Sequence, residues 1–228
     1  MGYILGTGTN ACYIESNRNI LKLKNLDPGK SQIINIESGN FGKATQTDLD
    51  ILFDKTTVNP GQYKFEKMIA GGYFGGLCLS AIKSAAKEGV FTAGAAPGIM
   101  SLIELSSEDV NHFVYKSKSA RGPLHNVMKE TTDEENCIGI IESLIDRAAK
   151  LVAANIAAVI LKTNKGKSAE CPILITVEGT TFYKLHNLRS SFEVYLRDYL
   201  KDERLRFYEF TEVKQSSLVG AALAALIN

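Results

Sequence analysis

Gly2-Tyr3-Ile4-Leu5-Gly6-Thr7-Gly8-Thr9-Asn10-Ala11-Cys12-Tyr13-Ile14-Glu15 opens the chain and decides its fold class. Tyr3 to Leu5 and Ala11 to Ile14 have the aromatic and branched character of strands, and Gly6 to Asn10 supplies a glycine-rich turn between them, so the stretch reads as a hairpin. Consecutive amides in a Gly-x-Gly turn can point at a phosphate because no side chain obstructs the approach, and Thr7 and Thr9 add hydroxyl donors. Taken alone, the segment is either a ligandless hairpin or a phosphate-binding turn. Working outward, Ile20 to Leu26 alternates leucine with lysine and reads as a half-exposed strand. Gln32 to Ile36, after the Asp27-Pro28-Gly29 turn, reads as a buried partner.

From about Gln62 the period changes to that of a helix. Phe65, Met68, Ile69, Tyr73, Leu77 and Ile82 mark one face running towards Glu88-Gly89. Gly71, Gly72, Gly75 and Gly76 within it each cost about 1 kcal/mol relative to alanine, which points either to close helix packing or to a surface over which a ligand lies. Ala93 to Gly98 is a small-residue loop, Met100 to Phe113 a short helical stretch, and Lys116 to Asn126 shows no period. Thr132 and Glu135 have capping-box spacing ahead of a long helix with Ile141, Leu144, Ile145, Ala148, Val152, Ile156 and Val159 in one stripe. Ile173 to Val177 is an apolar strand, Phe192 to Leu200 a helix, Leu205 to Phe210 a strand, and Ser216 to Ile227 a closing alanine-rich helix. Strands feeding helices in this way predict an α/β architecture with a mixed sheet.

With 228 residues, 45% of them hydrophobic and 22% charged, the chain is long enough to bury a core and to form one globular domain. Its 26 basic residues almost cancel the 25 acidic ones, so no global field argues for nucleic acid or an anionic membrane as partner. The apolar runs Leu151 to Leu161 and Leu218 to Ile227 fall short of the roughly 20 residues that cross a bilayer and read as buried helices. Met1 is followed within six residues by the glycine motif, which leaves no expected secretory leader. Cys12, Cys78, Cys137 and Cys171 lack metal or disulfide spacing and fit buried thiols in a reducing cytoplasm. His112, His125 and His186 lack the spacing of a metal site or a serine triad.

Glu37 and Glu66 lie beside turn residues and outside any charge run, which makes them candidates for binding a polyhydroxylated ligand. A buried carboxylate accepting hydroxyls contributes roughly 1.5–3 kcal/mol per bond. Asn10, after the glycine turn, can donate and accept in the same site. Gly179-Thr180-Thr181 follows an apolar strand, where open α/β sheets leave a crevice for ligands; the alternative is a tight turn.

In this order the segments resemble the hexokinase family, over nearly the whole chain. Besides the opening stretch, the resemblance is carried by Thr47-Asp48-Leu49-Asp50, Asn59-Pro60-Gly61, Phe65-Glu66-Lys67-Met68-Ile69, Ala148 to Val159, Val177 to His186 and Gly220 to Ala224. It implies an actin-like ATPase (ribonuclease H-like) fold and identifies residues 1–228 with the C-terminal large lobe, with the N-terminal part of such an enzyme absent. It further implies carbohydrate phosphorylation of the kind used in glycolysis, with ATP carrying Mg2+ and a hexose as substrates. Asn10, Glu37 and Glu66 match positions that bind sugar hydroxyls, and Thr7 matches a phosphate-binding threonine. Gly71, Gly179 and Thr180 match the nucleotide side of the cleft, and Ser101 aligns with a further nucleotide contact.

The chain also departs from the family pattern. Tyr63 stands where a glutamine usually precedes the second sugar glutamate, Ser38 replaces tryptophan, Glu178 replaces aspartate and Gly76 replaces glutamate. The Asp-x-Gly-Gly-Thr loop and the Leu-x-Asn-Asp-Thr segment that carries the base are not found, so no catalytic residue is assigned and little activity is expected of the chain alone. A non-catalytic sugar or nucleotide sensor is the alternative expectation. A cleft with one face uncovered also allows a homodimer.

Overall fold

The computed structural model describes residues 1–115, 122–213 and 216–227. Its sheet comprises β1 (Gly2–Leu5), β2 (Thr9–Ser16), β3 (Ser31–Asn35), β4 (Ile173–Glu178) and β5 (Tyr208–Thr211), in the order β3-β2-β1-β4-β5. β1, β2 and β3 pair antiparallel, with Tyr3 opposite Ala11 and Tyr13 opposite Ile34. β4 joins β1 in parallel and β5 joins β4 in parallel. A parallel neighbour requires a crossover connection. Between β3 and β4 the crossover contains α1 (Asp48–Asp54), α2 (Lys64–Ile69), α3 (Gly71–Lys87), α4 (Ala96–Ser101), α5 (Ser107–Val114), α6 (Pro123–Val127) and α7 (Thr131–Thr163). After β4 come α8 (Thr180–Lys184) and α9 (Leu188–Tyr199), and α10 (Ser216–Ile227) follows β5. The mixed sheet flanked by helices is the expected architecture.

Strand side chains alternate between the two faces of a sheet, so one face can be dry and the other wet. Tyr3, Leu5, Ile173, Ile175 and Val177 are buried on the inner face, whereas Ile4, Ile14, Ile33 and Leu174 stand exposed on the other. The core continues along α7, whose Cys137, Ile141, Ile145, Ala148, Val152, Ile156 and Ile160 are fully or almost fully buried. Burying each large aliphatic side chain contributes roughly 1.5–3 kcal/mol. The stripe packs against Leu188, Phe192 and Leu196 of α9, and Phe192 makes edge contacts with Phe182 and Phe210, tying α8, α9 and β5 together.

Several local expectations are corrected. Ile20 to Leu26 forms no strand; Leu21 and Leu23 are exposed in a turn, because the free edge of β2 is taken by β3. β3 is itself an edge strand with Ile33 exposed, not a buried one. The single helix expected from about Gln62 breaks at Ala70, which is extended at φ −85, ψ 145. The Met100 to Phe113 stretch divides into α4 and α5, the second started by a Ser106–Asp109 capping box. The long helix begins with Glu130 and Asp133 as its reciprocal pair rather than Thr132 and Glu135. Residues 116–121 of the unpatterned region lie outside the described residues, and Pro123–Val127 beyond them is helical. α10 forms, yet Leu218 and Val219 are exposed rather than buried. Cys78 and Cys137 are buried thiols, Cys137 pushed up to about 12 by that burial, while Cys171 is exposed.

Candidate functional site: a cleft around the glycine turn

β1 ends at Leu5, and the Gly6–Gly8 turn, closed by Gly6 N–H donating to the Gly8 carbonyl at 2.9 Å, returns the chain into β2. The turn is an anchoring point for two other segments, the starts of α3 and α8. Gly71 N–H donates to the Gly6 carbonyl at 2.8 Å, Gly72 N–H to the Thr7 carbonyl at 2.9 Å, and the Thr181 hydroxyl to the Gly6 carbonyl at 2.9 Å. These bonds explain the break at Ala70: the first amides of α3 leave the helical ladder and find partners on the turn.

On one side of the turn lie the candidate sugar residues. Glu66, on α2, accepts the Thr9 N–H through Oε2 at 2.8 Å. A Cβ on Gly8 would stand 2.7 Å from that oxygen, so only glycine lets the carboxylate reach the turn. Asn10 Nδ2 donates to Glu37 Oε1 at 2.8 Å and to Asn35 Oδ1 at 2.9 Å, and Asn35 Nδ2 donates to the same Glu37 oxygen at 2.6 Å. Asn10 Oδ1 accepts Ala11 N–H and Ser38 N–H, fixing the orientation of the side-chain amide. Glu37 sits in the left-handed region at φ 55 and Tyr63 at φ 50, where large side chains are held only by their surroundings. The Tyr63 N–H donates to Asn40 Oδ1 at 3.1 Å, which links the Asn59–Tyr63 loop to the segment carrying Glu37. Asn10, Glu37 and Glu66 therefore do gather around residues 8–10 and 37–39. Asn35 belongs to the same network and was not singled out by sequence; its i, i+2 relation to Glu37 at a strand end was the available signal.

On the other side lie Gly179 and Thr180. Gly179 has φ 119, and a Cβ there would collide with the Leu5 carbonyl, so the start of α8 packs directly on the end of β1. Thr180 and Thr181, together with Ser107, Asn111, His112 and Lys184, line a recess of about 410 Å³. Gly71 is brought beside it. Its N–H is committed to Gly6 and its carbonyl accepts the Ser107 hydroxyl at 2.6 Å, so Gly71 acts here through close packing rather than as a free donor. Thr7 is exposed on the turn. Ser101 is not among the residues lining this recess; its hydroxyl donates to the Gly98 carbonyl at 2.7 Å. Among the described residues, no group of three His, Cys, Asp or Glu is arranged to hold a metal ion, and no helix is long and apolar enough to cross a membrane.

A five-stranded mixed sheet of this order, flanked by helices and carrying a glycine turn between its first two strands, has the actin-like ATPase fold. The hexokinase family model matches residues 1–227, and the chain belongs to that family. It is 27% identical to Hexokinase-like 1 protein of Arabidopsis thaliana over 100% of this chain and 49% of that protein. It is 34% identical to Hexokinase-1 of Homo sapiens over 91% of this chain and 24% of that protein. Its backbone is similar to that of a hexokinase from Schistosoma mansoni complexed with glucose, at a TM-score of 0.79 and 22% identity, covering 96% of this chain and 51% of that one. The chain thus spans about half, or less, of the relatives it matches.

Proposed function

We propose that residues 1–228 are the large-lobe part of an ATP-dependent hexokinase that transfers the γ-phosphoryl group of Mg-ATP to the 6-hydroxyl of a hexose such as glucose. The convergence of Asn10, Glu37 and Glu66 beside the turn carries this reading: Glu37 bonded to Asn10, and Glu66 bonded to the neighbouring Thr9 amide, gather two carboxylates and an amide suited to a ring of hydroxyls. Thr7, Gly179 and Thr180 would hold the nucleotide across the turn, Gly71 would keep the turn in place, and Ser101 is the more distant contact. Magnesium would arrive on the nucleotide and offset phosphate charge.

Phosphoryl transfer depends on positioning, charge stabilisation and a carboxylate that takes the hydroxyl proton. We assign that base to a segment outside these 228 residues, so the chain by itself binds hexose without turning it over. Lobe closure in the whole enzyme would exclude water as a competing acceptor. A cytoplasmic setting, no nucleic-acid or membrane partner, and self-association across the uncovered cleft complete the proposal. Joining the chain to the preceding half of its Arabidopsis relative is expected to give hexose-dependent ADP formation in a coupled assay, lost in Glu66→Gln. A folded fusion that binds glucose and forms no ADP would instead support the sensor reading, which Tyr63 in place of glutamine favours.

A further inference from the structure

A second concavity lies outside the cleft, between α1, the face of α3 opposite its core contacts, and residues 103–105. It encloses about 620 Å³, within the size range of small-molecule sites. Its floor is apolar, built on Phe53, Leu79 and Leu105, all buried. Gly76 lies between them, and a Cβ there would stand 2.8 Å from Phe53 Cε2, so the ring fills the space that a side chain would take. Gly76, Ser80, Lys83 and Lys87 follow at helical spacing and present one face to the concavity. Among the described residues neither Lys83 nor Lys87 forms an ion pair, whereas Lys67, Lys150, Lys162 and Lys201 all do. Glu104 is the one carboxylate among the lining residues, so two cations outweigh one anion. At the rim Val58 and Ile103 are 98% and 95% exposed. Apolar side chains fully in water beside two uncompensated ammonium groups make a surface with one apolar half and one cationic half.

We propose that this concavity binds a phosphate monoester carrying an apolar or aromatic body, the body lying against Phe53, Val58 and Ile103 and the dianion between Lys83 and Lys87. A dianion matches two ammonium groups, and charge-assisted bonds exceed neutral ones in strength. None of Asn10, Glu37, Glu66, Gly179 or Thr180 lines the concavity, and its one link to the glycine turn is Gly72, whose N–H donates to the Thr7 carbonyl.

The test is titration of the 15N-labelled chain with phenyl phosphate, followed by amide resonances. Saturable shifts are expected along 52–58 and 76–87. Affinity should fall about tenfold or more in Lys83→Met/Lys87→Met and be retained in Lys83→Arg/Lys87→Arg, with inorganic phosphate alone binding more weakly. Shifts confined to the Gly6–Gly8 turn and Gly179–Thr181, equal affinity for inorganic phosphate, unaltered binding by the methionine variant, or no saturable shift would each overturn the proposal.

Discussion

Lys67 is the side chain whose removal should be felt most widely. It is 3% exposed, lies 2.5 Å from Asp54 Oδ1 and donates to the Asn59 carbonyl at 2.7 Å, while Asp54 Oδ2 accepts Gly61 N–H at 2.7 Å. One ion pair thus fastens α2 to α1 and to the Asn59–Tyr63 loop. In Lys67→Met the Asp54 carboxylate keeps one donor in a buried site, and breaking a buried pair on one side costs about 3–5 kcal/mol. The carboxylate can escape by binding a proton. From an ordinary pKa of about 3.9 this costs about 4 kcal/mol at pH 7 but only about 1.5 kcal/mol at pH 5, so the penalty has a ceiling that drops with pH. In the wild type, burial would raise Asp54, yet Lys67 and the Gly61 amide hold it below the usual carboxylate range, so its stabilisation is present near neutrality and is lost on acidification. Urea unfolding followed by circular dichroism should show Lys67→Met destabilised by about 3–4 kcal/mol at pH 7, with the gap narrowing by pH 5. Asp54→Asn/Lys67→Met should recover part of the loss. A Lys67→Met variant within about 0.5 kcal/mol of wild type at pH 7, or a gap independent of pH, would refute the reasoning.

Two further outcomes follow from single positions. Gly179→Ala places a methyl group against the Leu5 carbonyl at φ 119, so it should destabilise by more than about 1 kcal/mol in urea unfolding and, in calorimetric titrations with ATP and with glucose, weaken nucleotide binding more than hexose binding. Acid unfolding should be carried by Asp50 and Asp133 as well as Asp54. Burial alone would raise all of them, but Arg147 and Thr47 hold Asp50 down, and Thr92, Lys129 and Glu130 amides hold Asp133 down. Depressed carboxylates stabilise the fold above the unfolded value near pH 4 and lose that contribution below it, so stability should decline from about pH 4 downward. Asp133→Asn should flatten that decline in a pH series of thermal melts; an unchanged slope would count against it.

Much of the fold was legible where one local period dominated. The β1–β2 hairpin, β4 and the stripe of α7 each repeat apolar residues at a single spacing, and burial follows that spacing. What could not be read is set by partners distant in sequence. Leucine and lysine alternate at 20–24, but the edge of β2, the strand just before them, is paired with β3 instead. The cap of α7 went to Glu130 and Asp133 because Asp133 also accepts Thr92 N–H and hydroxyl, 41 residues away. For the candidate site, Asn10, Glu37 and Glu66 were named from turn context and family resemblance, and they meet. Asn35 carries only a weak signal, its i, i+2 relation to Glu37 at a strand end, and Ser101 rests on the family resemblance alone and is not among the residues lining the recess of Thr180.

The break at Ala70 is where fold and proposed function depend on each other. Residues five apart on an unbroken α-helix point about 140° away from one another, so one continuous helix could not aim Glu66 and Gly71 at the same turn. With Ala70 extended, α2 delivers Glu66 to the Thr9 amide while α3 starts afresh and delivers Gly71 and Gly72 to the carbonyls of Gly6 and Thr7. The proposed sugar side and the proposed nucleotide side are thereby held at the two ends of a single glycine turn. A ligand that displaced Thr7 on one side would pull on Gly72 and, through Ala70, on Glu66 on the other.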